Sequence, residues 1–193
     1  VQVLAYLEKM REEKKNAKVL LVVPASLLAN WKKESEKFAP EIDINILHGR
    51  PAAELNQNLK KEKAFLTVTT YGMISRLEAQ KDTIWDCIIL DEAQAIKTPV
   101  TKQTREIKGL KGKMKIAMTG TPIENDLTNL WSLFDFLNKG MLGSSGEFKA
   151  FCRTLGDSPD GYARLKSIVA PFMLRRVKTD KNIISDLPEK IEK

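Results

Sequence analysis

The stretch Cys87-Ile88-Ile89-Leu90-Asp91-Glu92-Ala93-Gln94 ends an apolar run with two adjacent carboxylates. A buried strand there would deliver Asp91 and Glu92 together at its C-terminal tip. Carboxylate oxygens suit Mg²⁺, which keeps several of its waters and is often held through them. The second carboxylate of such a pair can orient and deprotonate an attacking water. The chemistry that fits is nucleotide hydrolysis. The same residues also fit a plain helix start, with Asp91 as N-cap and Glu92 favouring the helix dipole.

Three other strand ends carry polar groups. In Met118-Thr119-Gly120-Thr121-Pro122, two hydroxyls flank a glycine that permits close backbone approach. Those hydroxyls can bond a phosphate, a water or a neighbouring carboxylate. A Thr-capped helix with proline in its first turn is the local alternative. Val23-Pro24-Ala25-Ser26-Leu27 ends a strand and opens a helix that Ser26 can cap. A helix N-terminus accepts anions, a nucleic-acid phosphate among them, although an ordinary capped connection has the same sequence. Val68-Thr69-Thr70-Tyr71-Gly72 brings hydroxyls and amides to a fourth end, or simply joins strand to helix. The basic run Arg175-Arg176-Val177-Lys178 is either a polyanion contact or a solvated face.

These ends need a scaffold, and the apolar pattern supplies one. Val3, Leu4, Leu7 and Met10 predict a helix over 1–15. Val19 to Val23 reads as a strand buried on both faces and stopped by Pro24. The helix after it carries Leu27, Leu28, Trp31 and Phe38. Strands follow at 42–47, 65–70, 85–90 and 114–118, with helices at 52–59, 71–77 and 124–137. Gly140, Gly143, Ser144, Ser145 and Gly146 read as a loop, and 147–169 as helix with a break at Ser158-Pro159. The chain from Pro171 to Lys193 reads as a strand or turn leading into a linker. Nearly all-apolar strands alternating with helices predict a parallel sheet covered on both faces, where ligands bind beyond the carboxyl ends of the strands.

Composition sets outer bounds. The chain has 193 residues, 42% hydrophobic and 30% charged, which excludes low-complexity disorder, collagen and coiled-coil rod. No apolar run approaches the ~20 residues of a membrane span, so no membrane partner is expected. The net charge of +7 suits a polyanion without proving one. Cys87 and Cys152 stand in no metal or redox spacing, which makes a reducing compartment the default. The chain opens at Val1 and reads as a piece of something longer.

In order and spacing, the four ends resemble the first RecA-like lobe of the Swi/Snf (Snf-two) family, DNA-dependent ATPases of helicase superfamily two. VVPASLLANW resembles motif Ia, TVTTYGMI the next DNA-contacting segment, and LDEAQAIK motif II in a bacterial-type form. MTGTPIENDLTNLWSLFDFL resembles motif III with its helix, and APFMLRRVKTDKNIISDLPEK the exit toward lobe two. The resemblance implies an α/β, three-layer P-loop NTPase lobe with a mainly parallel sheet and a C-terminal helical insertion. Residues 1–138 would be the core, 139–170 the insertion, and 171–193 the lead into lobe two.

The resemblance also implies roles. Asp91 would coordinate Mg²⁺ of Mg²⁺–ATP, Glu92 would activate the hydrolytic water, and Gln94 would sense the nucleotide or the neighbouring motif. Thr119, Gly120 and Thr121 would couple the nucleotide to the DNA track. Pro24, Ser26, Thr69, Thr70 and Tyr71 would lie along the backbone of double-stranded DNA, and Arg175 and Arg176 near the second lobe. Trp131 and Phe134 read as core, not as base-stacking groups.

The family's P-loop, GxxxxGK[ST], occurs nowhere in the sequence. The expected state is therefore a lobe without its P-loop strand, inactive alone. The strand at 114–118 would keep an open edge, where a gap, a rearranged sheet or a dimer contact is expected. The intact parent would use ATP and Mg²⁺ in a bacterial cytoplasm, or in a nucleus if the source is eukaryotic. The alternatives are a catalytically dead α/β module that binds DNA or protein, and an unrelated nucleotide enzyme of the same layered fold.

Overall fold

The computed structural model describes residues 1–61, 63–120, 127–155 and 162–174. The chain divides into two compact units, Val1–Lys149 and Ala150–Lys193.

The first unit is built on five parallel strands: β1 (Val19–Val23), β2 (Ile44–Leu47), β3 (Leu66–Thr70), β4 (Ile84–Leu90) and β5 (Lys111–Ala117), in the order β2-β3-β1-β4-β5. β1 and β3 are buried along their whole length, as unbroken apolar or β-branched runs require when both faces are covered. α1 (Gln2–Glu13) and α2 (Leu28–Phe38) contribute to the core on one face, where Leu4, Leu7 and Trp31 pack with Leu21, Val68 and Ile89. On the other face Leu20, Ile88 and Leu90 pack with Tyr71 and Ile74 of α4 (Tyr71–Ile74), Ile107 of α6 (Lys102–Lys108), and Leu133 and Phe136 of α7 (Leu127–Leu137). The three-layer parallel α/β architecture expected from the alternation is the one observed.

Register decides where the four chemical ends go. Val23 pairs with Thr70, Val22 with Leu90, and Leu90 with Ala117. The carboxyl ends of β1, β3, β4 and β5 are therefore level, and the residues after them share one edge of the sheet.

Several local expectations change. Ser26 does not cap α2; it lies inside a 3-10 turn, Ala25–Leu27, because the Leu27 amide reaches back to the Pro24 carbonyl at 2.9 Å. The helix expected over 52–59 forms as α3 (Ala52–Lys61), whereas the one expected over 71–77 is only α4, followed by a second short helix, α5 (Ala79–Asp82). β5 starts at Lys111, earlier than the apolar run, and α6 carried too weak a pattern to be anticipated.

Ser145 and Gly146 belong to α8 (Ser145–Thr154), not to the loop before it. The signal was there: the Ser144 hydroxyl accepts the Glu147 amide (3.3 Å) while Glu147 Oε2 accepts the Ser144 amide (2.7 Å), a reciprocal capping box. The loop keeps Gly140 and Gly143, both at positive φ. In the second unit, α9 (Ala163–Val169) runs into a 3-10 turn at Ala170–Phe172. The expected break at Ser158-Pro159, the start of the 124–137 helix and the segment beyond Leu174 lie outside the described residues.

Among the described residues β5 pairs with β4 alone, so its other edge is open, as expected. Lys111, Lys113 and Lys115 alternate along β5, and charged side chains on an edge strand discourage pairing with another chain. No described helix is long and apolar enough to cross a membrane.

Candidate functional site

The turn after β4 is clamped from both sides. The Asp91 amide donates to the Val22 carbonyl (2.9 Å) at the end of β1. On the β5 side, the Met118 amide donates to Leu90 (2.8 Å) and the Ala93 amide to the Met118 carbonyl (2.8 Å). Between these clamps Glu92 adopts φ 51°, ψ 53°. It is the one non-glycine residue at positive φ among the described residues. For a residue with a Cβ this left-handed conformation costs roughly 1–3 kcal/mol, and such strain gathers at functional sites.

Asp91 is not the helix cap that local sequence allowed. The 3-10 turn that follows, Ala93–Ile96, has no side-chain cap. Asp91 Oδ1 instead accepts the Glu92 amide (3.0 Å), and Oδ2 accepts the Trp31 indole N–H (2.7 Å). The Asp91 carbonyl accepts the Tyr71 hydroxyl (2.7 Å). Burial first, then the Asp91 and Glu92 charges, push the Tyr71 phenol well above its ordinary pKa, so it stays protonated and donating.

A relay of side chains joins the two expected motifs. Thr119 Oγ1 donates to Gln94 Oε1 (2.9 Å), and Gln94 Nε2 donates to Glu92 Oε2 (2.7 Å). Of the two partners expected for Gln94, the geometry brings together Gln94 and the neighbouring motif. Gly120 is exposed beside Thr119.

The residues expected along DNA divide by exposure. Ser26 is exposed and Pro24 half-buried on the turn before α2. Thr69 is fully enclosed, its hydroxyl donating to the Leu47 carbonyl at 2.9 Å. Thr70 and Tyr71 are also buried. Thr121, Arg175 and Arg176 lie outside the described residues. Sequence reasoning missed Trp31 as a site residue and placed it only on the apolar side of α2. Its polar N–H was the available signal, because a partly buried indole usually finds an acceptor.

The donor set suits Mg²⁺. Asp91 and Glu92 are both partly exposed, and each carboxylate retains lone pairs beyond the hydrogen bonds it accepts. Among the described residues no three His, Cys, Asp or Glu side chains gather as a metal cage. Two neighbouring carboxylates suit an ion that takes waters and phosphate oxygens for its remaining positions.

A family profile described as the SNF2-related domain matches residues 1–193. YwqA of Bacillus subtilis, named as an ATP-dependent helicase/translocase, is 39% identical over 199 residues, which cover 100% of this chain and 22% of that protein. The DNA excision repair protein ERCC-6-like of Danio rerio is 34% identical over 203 residues, 93% of this chain and 14% of that protein. The chain thus spans less than a quarter of the length of either relative. The Sulfolobus solfataricus SWI2/SNF2 ATPase core, solved in complex with dsDNA, has a TM-score of 0.84 at 39% identity, covering 97% of this chain and 39% of that one. With its whole length matched and its parallel lobe shared at this identity, the chain belongs to the SNF2-related domain family.

Proposed function

We propose that this chain is the first motor lobe of an ATP-driven translocase on double-stranded DNA, and that Asp91 and Glu92 are its hydrolytic carboxylates. Residues 1–138 form the core, 139–170 an insertion, and 171–193, with Arg175 and Arg176, the lead into a second lobe. The observation that carries the reading is the level row of strand ends, where a strained Glu92 is linked through Gln94 to Thr119.

Bound Mg²⁺–ATP supplies the phosphoryl group and its leaving group. Asp91 is the residue suited to hold Mg²⁺, through water. Glu92 accepts the proton of the attacking water on a carboxylate oxygen while Gln94 fixes the other oxygen. Thr119, with Gly120 and Thr121 beside it, reports the state of Glu92 along the relay. Ser26 and Pro24 are the accessible residues for DNA phosphates; the buried Thr69, Thr70 and Tyr71 shape that edge from inside. Such contacts hold a duplex without reading its sequence. No P-loop sequence lies in the chain, so its own residues lack that phosphate cradle, and phosphoryl transfer depends on such electrostatic stabilisation.

The test is ATP turnover by the full-length protein, with and without duplex DNA, beside the isolated 193-residue chain. Turnover stimulated by duplex in the full-length protein and absent from the isolated chain is expected. A full-length protein that binds duplex but hydrolyses no ATP would favour the catalytically dead module instead.

A further inference from the structure

We propose that Trp31 is a positioning residue for Asp91 and ties the DNA-facing turn before α2 to the metal-holding carboxylate. The proposal rests on the hydrolytic reading of Asp91 and adds a residue to it.

Trp31 lies one turn into α2, five residues beyond Ser26. Its ring packs against the core face formed by β1, β3 and β4, which fixes where the indole N–H points. That N–H donates to Asp91 Oδ2 at 2.7 Å, at the short end of the range for N–H donors. The Glu92 amide holds Oδ1, so the two donors together set the plane of the carboxylate. Neither donor carries a formal charge. The arrangement orients Asp91 without neutralising it, and leaves lone pairs on both oxygens for the waters of a divalent ion.

Trp31 also bridges two elements with different expected jobs. α2 grows directly from the 3-10 turn Ala25–Leu27, where Ser26 is exposed. A displacement of that turn on binding a phosphate backbone moves the start of α2, and Trp31 transmits it to Asp91 by one hydrogen bond. The relay through Thr119, Gln94 and Glu92 reaches the other carboxylate from the opposite side. The two carboxylates are therefore coupled to the sheet edge by separate routes.

The test is Trp31→Phe in the full-length protein, which keeps an aromatic ring in the core and removes the N–H. Partners that orient metal-holding residues typically change metal affinity or activity by about 10- to 100-fold. We expect Mn²⁺ affinity with bound nucleotide, read by paramagnetic resonance, to weaken by about that factor. The Mg²⁺ concentration for half-maximal turnover should rise in parallel, with thermal midpoint and duplex affinity retained. Trp31→His, which restores an N–H donor, should recover part of the loss.

In the wild-type protein, Mn²⁺–nucleotide should broaden the Trp31 indole N–H resonance and spare Trp85, near the far end of β4. Unchanged Mn²⁺ affinity and Mg²⁺ dependence in a folded Trp31→Phe protein would overturn the proposal while leaving Asp91 its role. A lowered thermal midpoint with unchanged metal affinity would likewise overturn it, reducing Trp31 to packing. Wild-type protein without ATP turnover would instead remove the hydrolytic reading itself.

Discussion

β4 carries an aspartate near each end, Asp86 at the entry and Asp91 just past the exit, and the two are treated in opposite ways. Asp86 accepts from Lys14 Nζ (2.7 Å), Lys113 Nζ (2.8 Å) and the Lys18 amide (3.0 Å). Burial by itself would raise its pKa. The hydrogen bonds from Lys113, Lys14 and the Lys18 amide outweigh burial and hold the carboxyl well below the usual range. Among the described residues the Asp91 carboxylate accepts from two uncharged N–H donors, beside a strained residue. One carboxylate is compensated by cations and staples the residue that ends α1 to β4 and β5; the other keeps its charge available. In a parallel sheet the carboxyl ends are where ligands bind, and the contrast follows that rule.

Substitutions at the two aspartates should separate turnover from stability. Asp91→Asn in the full-length protein should lower Mg²⁺-dependent turnover by roughly 10²–10³-fold, with its unfolding midpoint nearly unchanged. Asp86→Ala should do the reverse, costing about 1–3 kcal/mol in denaturant unfolding and sparing the Mg²⁺ dependence. If both substitutions act on stability alone, the two ends of β4 do not differ in kind.

A pH series sharpens the same contrast. The folded-state pKa of Asp86 lies below its unfolded value of ~3.9, so its stabilisation is present above that pH. It is lost as pH falls from about 4 toward the folded pKa, because the unfolded chain then binds the proton first. Acid unfolding monitored by circular dichroism should therefore be shallower below pH ~4 in Asp86→Ala than in wild type.

Packing at the entry end provides a smaller effect. Gly112 of β5 lies where an added Cβ would come within 2.6 Å of Ile88 Cδ1 and 2.9 Å of its Cγ1. Gly112→Ala should lower stability by about 1–3 kcal/mol, measured by urea unfolding, with turnover of the surviving folded protein unaffected. Smallest of all is the chemical silence of Cys87. Burial, with Asp86 nearby, pushes its thiol up to about 12, so thiol reagents at neutral pH should not reach it until the lobe unfolds.

The sheet was readable because its physics is local: residues 19–23 and 87–90 are apolar enough to demand cover on both faces. Asp91, Glu92, Gln94 and Thr119 were legible because each follows a strand, and register brings those ends level. Trp31 was not, since its partner is sixty residues away in sequence and only the packing of α2 on the sheet joins them. The Glu92 strain was equally hidden, because it arises from clamps on both neighbours and not from any turn residue. The start of α2 was misplaced by one physical detail, the Pro24 carbonyl drawing in Leu27 and enclosing Ser26 in the turn. Short α5 and α6 have too few residues for a helical period to register, and α4 is shorter than the helix read at 71–77.

The hydrolytic reading stands or falls on Glu92 taking the proton from the attacking water. Its most direct measurement is single-turnover ATP hydrolysis by full-length Glu92→Gln protein, saturated with Mg²⁺ and duplex DNA. Nucleotide should bind at near wild-type affinity while hydrolysis slows by roughly 10²–10⁴-fold. Hydrolysis at the wild-type rate would contradict it and take Glu92 out of the chemistry.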